Sequence, residues 1–228
     1  MAGWAPIPPH ETESPKTMPI EINSLEAAAD RLKKIAESTD KRVIIGIVGK
    51  PGAGKSTLSE YLGKKIAFPE MTVVPMDGFH MSNKVLVELG RLDRKGAEHT
   101  YDNAGYTSLL KRIRTEVDKP IYYPIFHREI EESIAGEGTV LPETRIILTE
   151  GNYLLYDQLG WQEVKPLLDE SWVVTVNDDH RIARLIGRHV KYGRTQEEAR
   201  ERSLGSDETN AKLIETTFTN ADVIVHLE

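Results

Sequence analysis

Residues 46 to 57 read GIVGKPGAGKST, four glycines and a proline in twelve positions, a composition that no packed helix or strand tolerates. The stretch fits G-x-x-x-x-G-K-[ST], with Gly49, Gly54, Lys55 and Ser56 in the fixed places. Before it, RVIIGIV has the character of a buried strand; after it, STLSEYLGKKIA repeats Leu58, Tyr61, Leu62 and Ile66 at helical spacing. Strand, bare loop and helix in that order make a polyphosphate cradle. Main-chain N–H groups wrap an anion only where no Cβ intervenes, and the helix start adds its unpaired N–H groups and dipole. Nucleotide binding is therefore expected at Gly49, Lys50, Pro51, Gly52, Ala53, Gly54, Lys55, Ser56 and Thr57. Lys55 should reach the β and γ phosphates, and the Ser56 hydroxyl should ligate Mg²⁺.

The 228-residue chain suits a single α/β domain over 23–228, preceded by a tail over 1–22 with five prolines in its first twenty residues and no periodicity. NSLEAAADRLKKIAES then reads as a helix, with Asn23 and Glu26 as a capping pair and Leu25, Ala28, Leu32 and Ile35 on one face. Apolar runs at 43–48, 72–76, 145–149, 172–176 and 222–227 alternate with helical patterns, which predicts a three-layer α/β/α fold around a mainly parallel five-stranded sheet. No apolar run reaches membrane-spanning length and no basic-then-apolar leader opens the chain, so a soluble cytoplasmic protein is expected. The absence of cysteine excludes disulfides and thiolate metal sites, and seven scattered histidines lack the spacing of a transition-metal site. A net charge of −7 argues against a general nucleic-acid binder, so an anionic ligand must be held by local positive charge.

A phosphate loop alone does not name a reaction. DNAG at 102–105 has no apolar strand before it, no N-K-x-D guanine-reading motif follows, and an L-S-G-G-Q signature is absent. The informative stretch is VVPMDGFHMSN, residues 73–83. Asp77 directly follows an apolar strand, so its carboxylate should lie at the carboxyl edge of the sheet, where a base can accept a substrate hydroxyl proton; Phe79 and His80 face the same crevice or its wall. The alternative, an Asp capping the next helix, is better served by Ser82. Glu150 leaves the strand RIILTE at the usual place for an acidic group on Mg²⁺ or its water, with helix capping as the alternative. In DDHRIARLIGRHVKYGRT, Arg181, Arg184, Arg188 and Lys191 form a stripe opposite Ile182, Leu185, Ile186 and Val190. Such a stripe, with Arg194 beyond it, suits a lid over about 181–205 that closes on transferring phosphates, or a solvated face paired to Glu197, Glu198 and Glu201.

Together the glycine loop, MDGFH, TEGNYLL and the arginine-bearing helix resemble the phosphoribulokinase/uridine kinase family of P-loop kinases. PMDGFHMSNKVLVELGRLDRKGAEHTYD and YYPIFHREIEESIAG are similar to its fructose transport system kinase or nucleoside/nucleotide kinase-like branch, and the likeness covers roughly residues 41 to 227. The resemblance implies ATP- and Mg²⁺-dependent phosphorylation of a small-molecule alcohol, with neither nucleic acid nor membrane as partner and a homodimer left open. It implies that Asp77 is the general base and that Lys55, Ser56 and Glu150 occupy nucleotide and metal positions. Arg184 and Arg188 become phosphate-contacting lid arginines. His80, Lys95, Tyr101, His127 and Arg128 become candidates for substrate contact, and Asp207 and Asn210 resemble a turn near the adenine. The neighbours of Asp77 here are Gly78, Phe79 and His80, where uridine kinases usually carry a serine and a tyrosine or histidine, and no second basic motif demands a phosphorylated acceptor. A sugar-like, polyol or nucleoside-like acceptor, a pantothenate kinase-like activity and a non-enzymatic ATP sensor all remain open.

Overall fold

The computed structural model describes residues 18–66 and 70–227. Six parallel strands form the sheet, in the order β1 (Ile20–Ile22), β8 (Val223–His226), β7 (Glu170–Thr175), β2 (Val43–Val48), β6 (Ile146–Gly151), β3 (Met71–Pro75). Five of these correspond to the apolar runs of the sequence. The sixth, β1, corrects the expected strand count and the inner boundary of the expected tail: Ile20, Glu21 and Ile22 pair with Val223, Ile224 and Val225. Three residues are too short for alternation to register, and the strand exists because β8 offers an open edge. The rest of the expected tail, residues 1–17, lies outside the described residues.

Alternation along the strands sends side chains to two cores. Ile44, Val48, Val74, Ile147 and Val173 pack with α4 (Asn103–Thr115) and Trp161 on one face. Ile45, Ile47, Leu148, Trp172, Val174 and Val223 pack with α1 (Leu25–Glu37) and α2 (Lys55–Lys65) on the other. A sheet covered on both faces must be apolar on both, which is why its strands read as continuous hydrophobic runs. The α1 cap is Ser24, whose side chain accepts from the Ala27 N–H, in place of the expected Asn23; Glu26 instead accepts from the Tyr61 hydroxyl. Ser82 caps α3 (Asn83–Glu88) as expected, accepting from the Val85 N–H. Among the described residues no helix is long and apolar enough to cross a membrane.

Outside the sheet stands an antiparallel ribbon, β4 (Ile121–His127) and β5 (Glu132–Val140), with a register shift at Pro124. Proline interrupts the alternation of IYYPIFH, which conceals the strand from a periodicity reading. The ribbon leans on the 3-10 turn Met76–Phe79 that follows β3, and Tyr123 donates its hydroxyl to the Val73 carbonyl at 2.8 Å. The approach is so close that a Cβ at Gly78 would stand 2.0 Å from the Pro124 carbonyl oxygen. Glycine at 78 is thus what lets the ribbon seat against the residue that carries Asp77. Three helices, α5 (Asp178–Lys191), α6 (Gln196–Leu204) and α7 (Ser206–Glu215), follow β7 and close the far side of the same sheet edge.

Gly78→Ala should therefore lower stability by about 1–3 kcal/mol, the usual cost of forcing an atom into a packed site. A urea-unfolding midpoint indistinguishable from that of the unmutated protein would show that the ribbon is not seated on Gly78.

Candidate active site

The loop between β2 and α2 adopts a conformation that only glycine reaches without strain: φ is +82° at Gly52 and +100° at Gly54. Gly54 also starts α2 with no side-chain cap, so the first N–H groups of the helix stay available to an anion. Lys55 lies across the loop, its Nζ donating to the Gly49 carbonyl at 2.8 Å, the Lys50 carbonyl at 3.3 Å and Asn152 Oδ1 at 2.8 Å. Burial pushes its ammonium down to about 8, against the pull of the Glu150 and Asp77 carboxylates. Lys50 and Pro51 serve the outer flank: Lys50 Nζ pairs with Glu215 at 2.9 Å and Asp178 at 3.5 Å, and the Pro51 carbonyl accepts from Arg181.

Glu150, at the exit of β6, accepts from Ser56 Oγ at 3.1 Å and Ser59 Oγ at 3.0 Å, and burial raises its carboxyl above the ordinary value. A hydroxyl beside a carboxylate is an all-oxygen donor set suited to a hard cation. Mg²⁺ keeps few protein ligands and takes the rest of its shell from phosphates and water. Asn152 and Ser59 hold Lys55 and Glu150 yet carry no motif signal. Their positions were readable only by spacing, two residues beyond Glu150 and one helical turn beyond Ser56.

Asp77 opens into the same cleft from the end of β3. Its Oδ2 accepts from Arg128 at 2.7 Å, the guanidinium arriving from the tip of the ribbon. Burial works to raise the Asp77 carboxyl, but Arg128, His80, Lys55 and Arg188 outweigh it and hold it below the usual range. The His80 ring lies between Tyr101 and Phe126, at 4.2 and 4.4 Å between centroids. Lys95 is tied down rather than free: its Nζ donates to Asn83 Oδ1 at 2.6 Å and to the main-chain oxygen of Glu131, a residue in the left-handed region at φ +54°. It fastens the ribbon tip to the loop before α4.

One expected residue stands elsewhere. His127 points away from the cleft, its Nε2 bonded to Glu137 at 2.6 Å and its Nδ1 to Glu129 at 3.0 Å, because alternation along β4 sets it opposite in sense to Phe126. Asn210 lines the cleft, as expected by position, with its amide held by Arg94 at 3.2 Å and by the Gly96 carbonyl at 3.3 Å, while Glu208 and Glu215 on other faces of α7 meet Arg181 and Lys50 near the phosphate loop. The cationic stripe of α5 divides in two. Arg181 is 1% exposed and bonded to Asp178 and Glu208, both at 2.6 Å, which makes it a strut between α5 and α7. Arg184 and Arg188 line the cleft and form no ion pair among the described residues, with Glu197, Glu198 and Glu201 or otherwise. Burial pushes the Arg188 guanidinium down, with Arg128 adding repulsion. The cleft is about 530 Å³, and seven basic side chains outnumber five acidic ones along its walls, in a chain that is acidic overall.

Comparison with known proteins agrees with this geometry. A model described as the Phosphoribulokinase / Uridine kinase family matches residues 44–227. The Schizosaccharomyces pombe protein named "Putative uridine kinase C227.14" is 34% identical over 198 residues, which cover 81% of this chain and 83% of the relative. The crystal structure of a "putative fructose transport system kinase" from Silicibacter sp. TM1040 is 35% identical, with a TM-score of 0.80 over 90% of this chain and 99% of that one. YFH7 from Saccharomyces cerevisiae shares the fold, at 19% identity and a TM-score of 0.76 over 90% of this chain and 98% of that one.

The two arginine roles separate by experiment. Arg181→Met strips a strut whose partners are partly solvated and should cost about 1–3 kcal/mol in thermal unfolding; Arg188→Ala removes a cation that burial already disfavours and should leave stability equal or higher. Equal melting shifts for the two would dissolve the distinction. On the ribbon, hydrogen bonds donated by the ring to the Glu137 and Glu129 carboxylates raise the His127 pKa above the ordinary value of about 6.5. The stabilisation this gives is complete below the unfolded pKa and lost as pH rises through the folded one. An NMR titration should show that elevation, and Glu137→Gln should diminish it.

Proposed function

The chain belongs to the phosphoribulokinase/uridine kinase family of P-loop kinases, and on that footing we propose that it transfers the γ-phosphoryl group of ATP to a hydroxyl of a small sugar-like, polyol or nucleoside-like acceptor. The observation that carries the reading is convergence. Asp77, Lys55 and the Ser56–Glu150 pair come from three neighbouring strand ends and line one cleft, close enough that Asp77 and Glu150 both act on the Lys55 ammonium.

In this reading the main-chain N–H groups of 52–57 hold the phosphates, and Lys55 exchanges its carbonyl partners for phosphate oxygens. Ser56 and Glu150 would hold Mg²⁺, which when bound neutralises charge on the transferred group. Asp77 orients the acceptor hydroxyl through its free Oδ1 and takes its proton as the oxygen bonds to phosphorus; the bond to the bridging oxygen breaks and ADP leaves. A carboxylate held below its usual pKa is a weak base, so its main contribution is orientation, which suits a loose transition state. Arg184 and Arg188 meet the charge as it spreads, and the absence of internal ion pairs leaves them available for it. A sensor that binds ATP without transferring it has no use for Asp77 in this position.

ATP-consumption assays across fructose, other ketoses, polyols, uridine and pantothenate, repeated with Asp77→Asn, test the proposal. The substitution keeps size and removes charge, so acceptor phosphorylation should fall by on the order of 10²–10⁴ while ATP affinity stays near its original value. Lys55→Ala should weaken ATP binding and abolish turnover without unfolding the protein. If the unmutated protein phosphorylates nothing in the panel, the kinase reading fails.

A further inference from the structure

We propose that Asp77 and His80 form a paired acceptor site selecting a vicinal diol: one hydroxyl, the one phosphorylated, donates to Asp77 Oδ1, and the neighbouring hydroxyl donates to His80 Nε2. The proposal rests on the kinase reading and names the class of acceptor within it.

The argument begins with backbone geometry. Residues 76–79 form a 3-10 turn, in which side chains three apart eclipse one another, and the His80 N–H closes it on the Asp77 carbonyl at 3.1 Å. Asp77 and His80 therefore sit one above the other on one face, and both line the cleft. The His80 Nδ1 lies 2.7 Å from the same carbonyl oxygen. A carbonyl only accepts, so Nδ1 carries the hydrogen, and in a neutral ring Nε2 is left as a bare acceptor. Neutrality follows from the surroundings. Burial between Tyr101 and Phe126 is the largest influence and disfavours the imidazolium, Lys95 and Arg128 add repulsion, and together they outweigh the attraction of Asp77. The Nδ1 hydrogen bond and the two tilted ring contacts, at 40° and 31° between planes, hold the imidazole in place, so the lone pair keeps its aim, and Nε2 has no hydrogen-bond partner among the described residues.

The complement of two acceptors is two donors. Asp77 spends Oδ2 on Arg128 and offers Oδ1; His80 offers Nε2. Ammonium groups could donate to both, but Lys55, Arg128 and Arg188 face the same space and repel a cation. In a small alcohol acceptor the neutral donors are hydroxyls, and with the two acceptors side by side on the turn the second hydroxyl is the one on the neighbouring carbon; a simple alcohol would leave Nε2 desolvated and unpaired.

Two measurements test this on the full chain. The ¹⁵N spectrum of His80, assigned by its loss in His80→Gln, should show a protonated Nδ1 and an unprotonated Nε2 at neutral pH. Nε2 alone should shift on titration with ribitol, D-ribose or glycerol, and not with 1,5-pentanediol or 1,3-propanediol. A protonated Nε2, or no response to any of the three polyols, overturns the proposal. In kinetics, removing the hydroxyl beside the phosphorylated one should lower kcat/KM roughly 10- to 100-fold. His80→Asn, whose amide N–H can replace Nδ1 on the Asp77 carbonyl but supplies nothing at Nε2, should bring that ratio near one, and His80→Gln should retain it. A simple alcohol phosphorylated as well as its diol counterpart would sink the diol site and leave the kinase reading intact. A polyol-dependent Nε2 shift without phosphorylation would do the reverse.

Discussion

In a parallel sheet covered on both faces, a polar side chain is tolerated only where it finds a partner, as Thr149 and Ser171 do, and a charge costs more still, so charged chemistry collects where the strands end. The charged lining of the cleft follows from that confinement. The phosphate loop leaves β2, Asp77 leaves β3, Glu150 leaves β6 and the arginine helix follows β7, all at the same edge. Adjacency in the order β7, β2, β6, β3 brings them together although they are far apart in the chain.

Crowding them has an electrostatic cost that the fold meets unevenly. Arg181 is paired twice and contributes to the docking of α5 on α7. Arg188 is not paired, and Lys55 is held by carbonyl and amide oxygens that cannot neutralise it. These cations are poor investments for a free protein and good ones for a protein that meets a polyphosphate, the usual conflict between stability and function at a preorganised site. Arg128 and Asp77 occupy a middle position, since each keeps the other charged while leaving one carboxylate oxygen to the cleft.

What the sequence made legible was whatever depended on local pattern: the phosphate loop, five strands, the strand-end carboxylates and the Ser82 cap. What it hid depended on partners distant in the chain. β1 is a strand only because β8 lies beside it. Arg181 and Arg188 share a helix and a residue type, and only the position of Glu208 on another helix separates strut from site. His127 and Arg128 are neighbours in sequence, yet the pleat of β4 sends one outward and the turn carries the other to Asp77. The sixth strand, the ribbon and the contacts that fix Lys95 and Asn210 along the cleft were invisible to periodicity for the same reason.

Lys95 grips the ribbon by its backbone. It holds the main-chain oxygen of Glu131, while Gly78 admits the backbone of Pro124 and Tyr123 reaches the backbone of Val73. Attachments that read backbone are indifferent to most side chains. At the tip itself, from 128 to 131, Arg128 is bound by its chemistry through Asp77 and Glu131 by its left-handed backbone, so the freedom left by the backbone attachments falls on Glu129 and Ile130. A ribbon fastened mainly by its backbone is thus a hinge-free bracket: it carries Arg128 to Asp77 at a fixed height above the sheet edge, whatever the residues beside it.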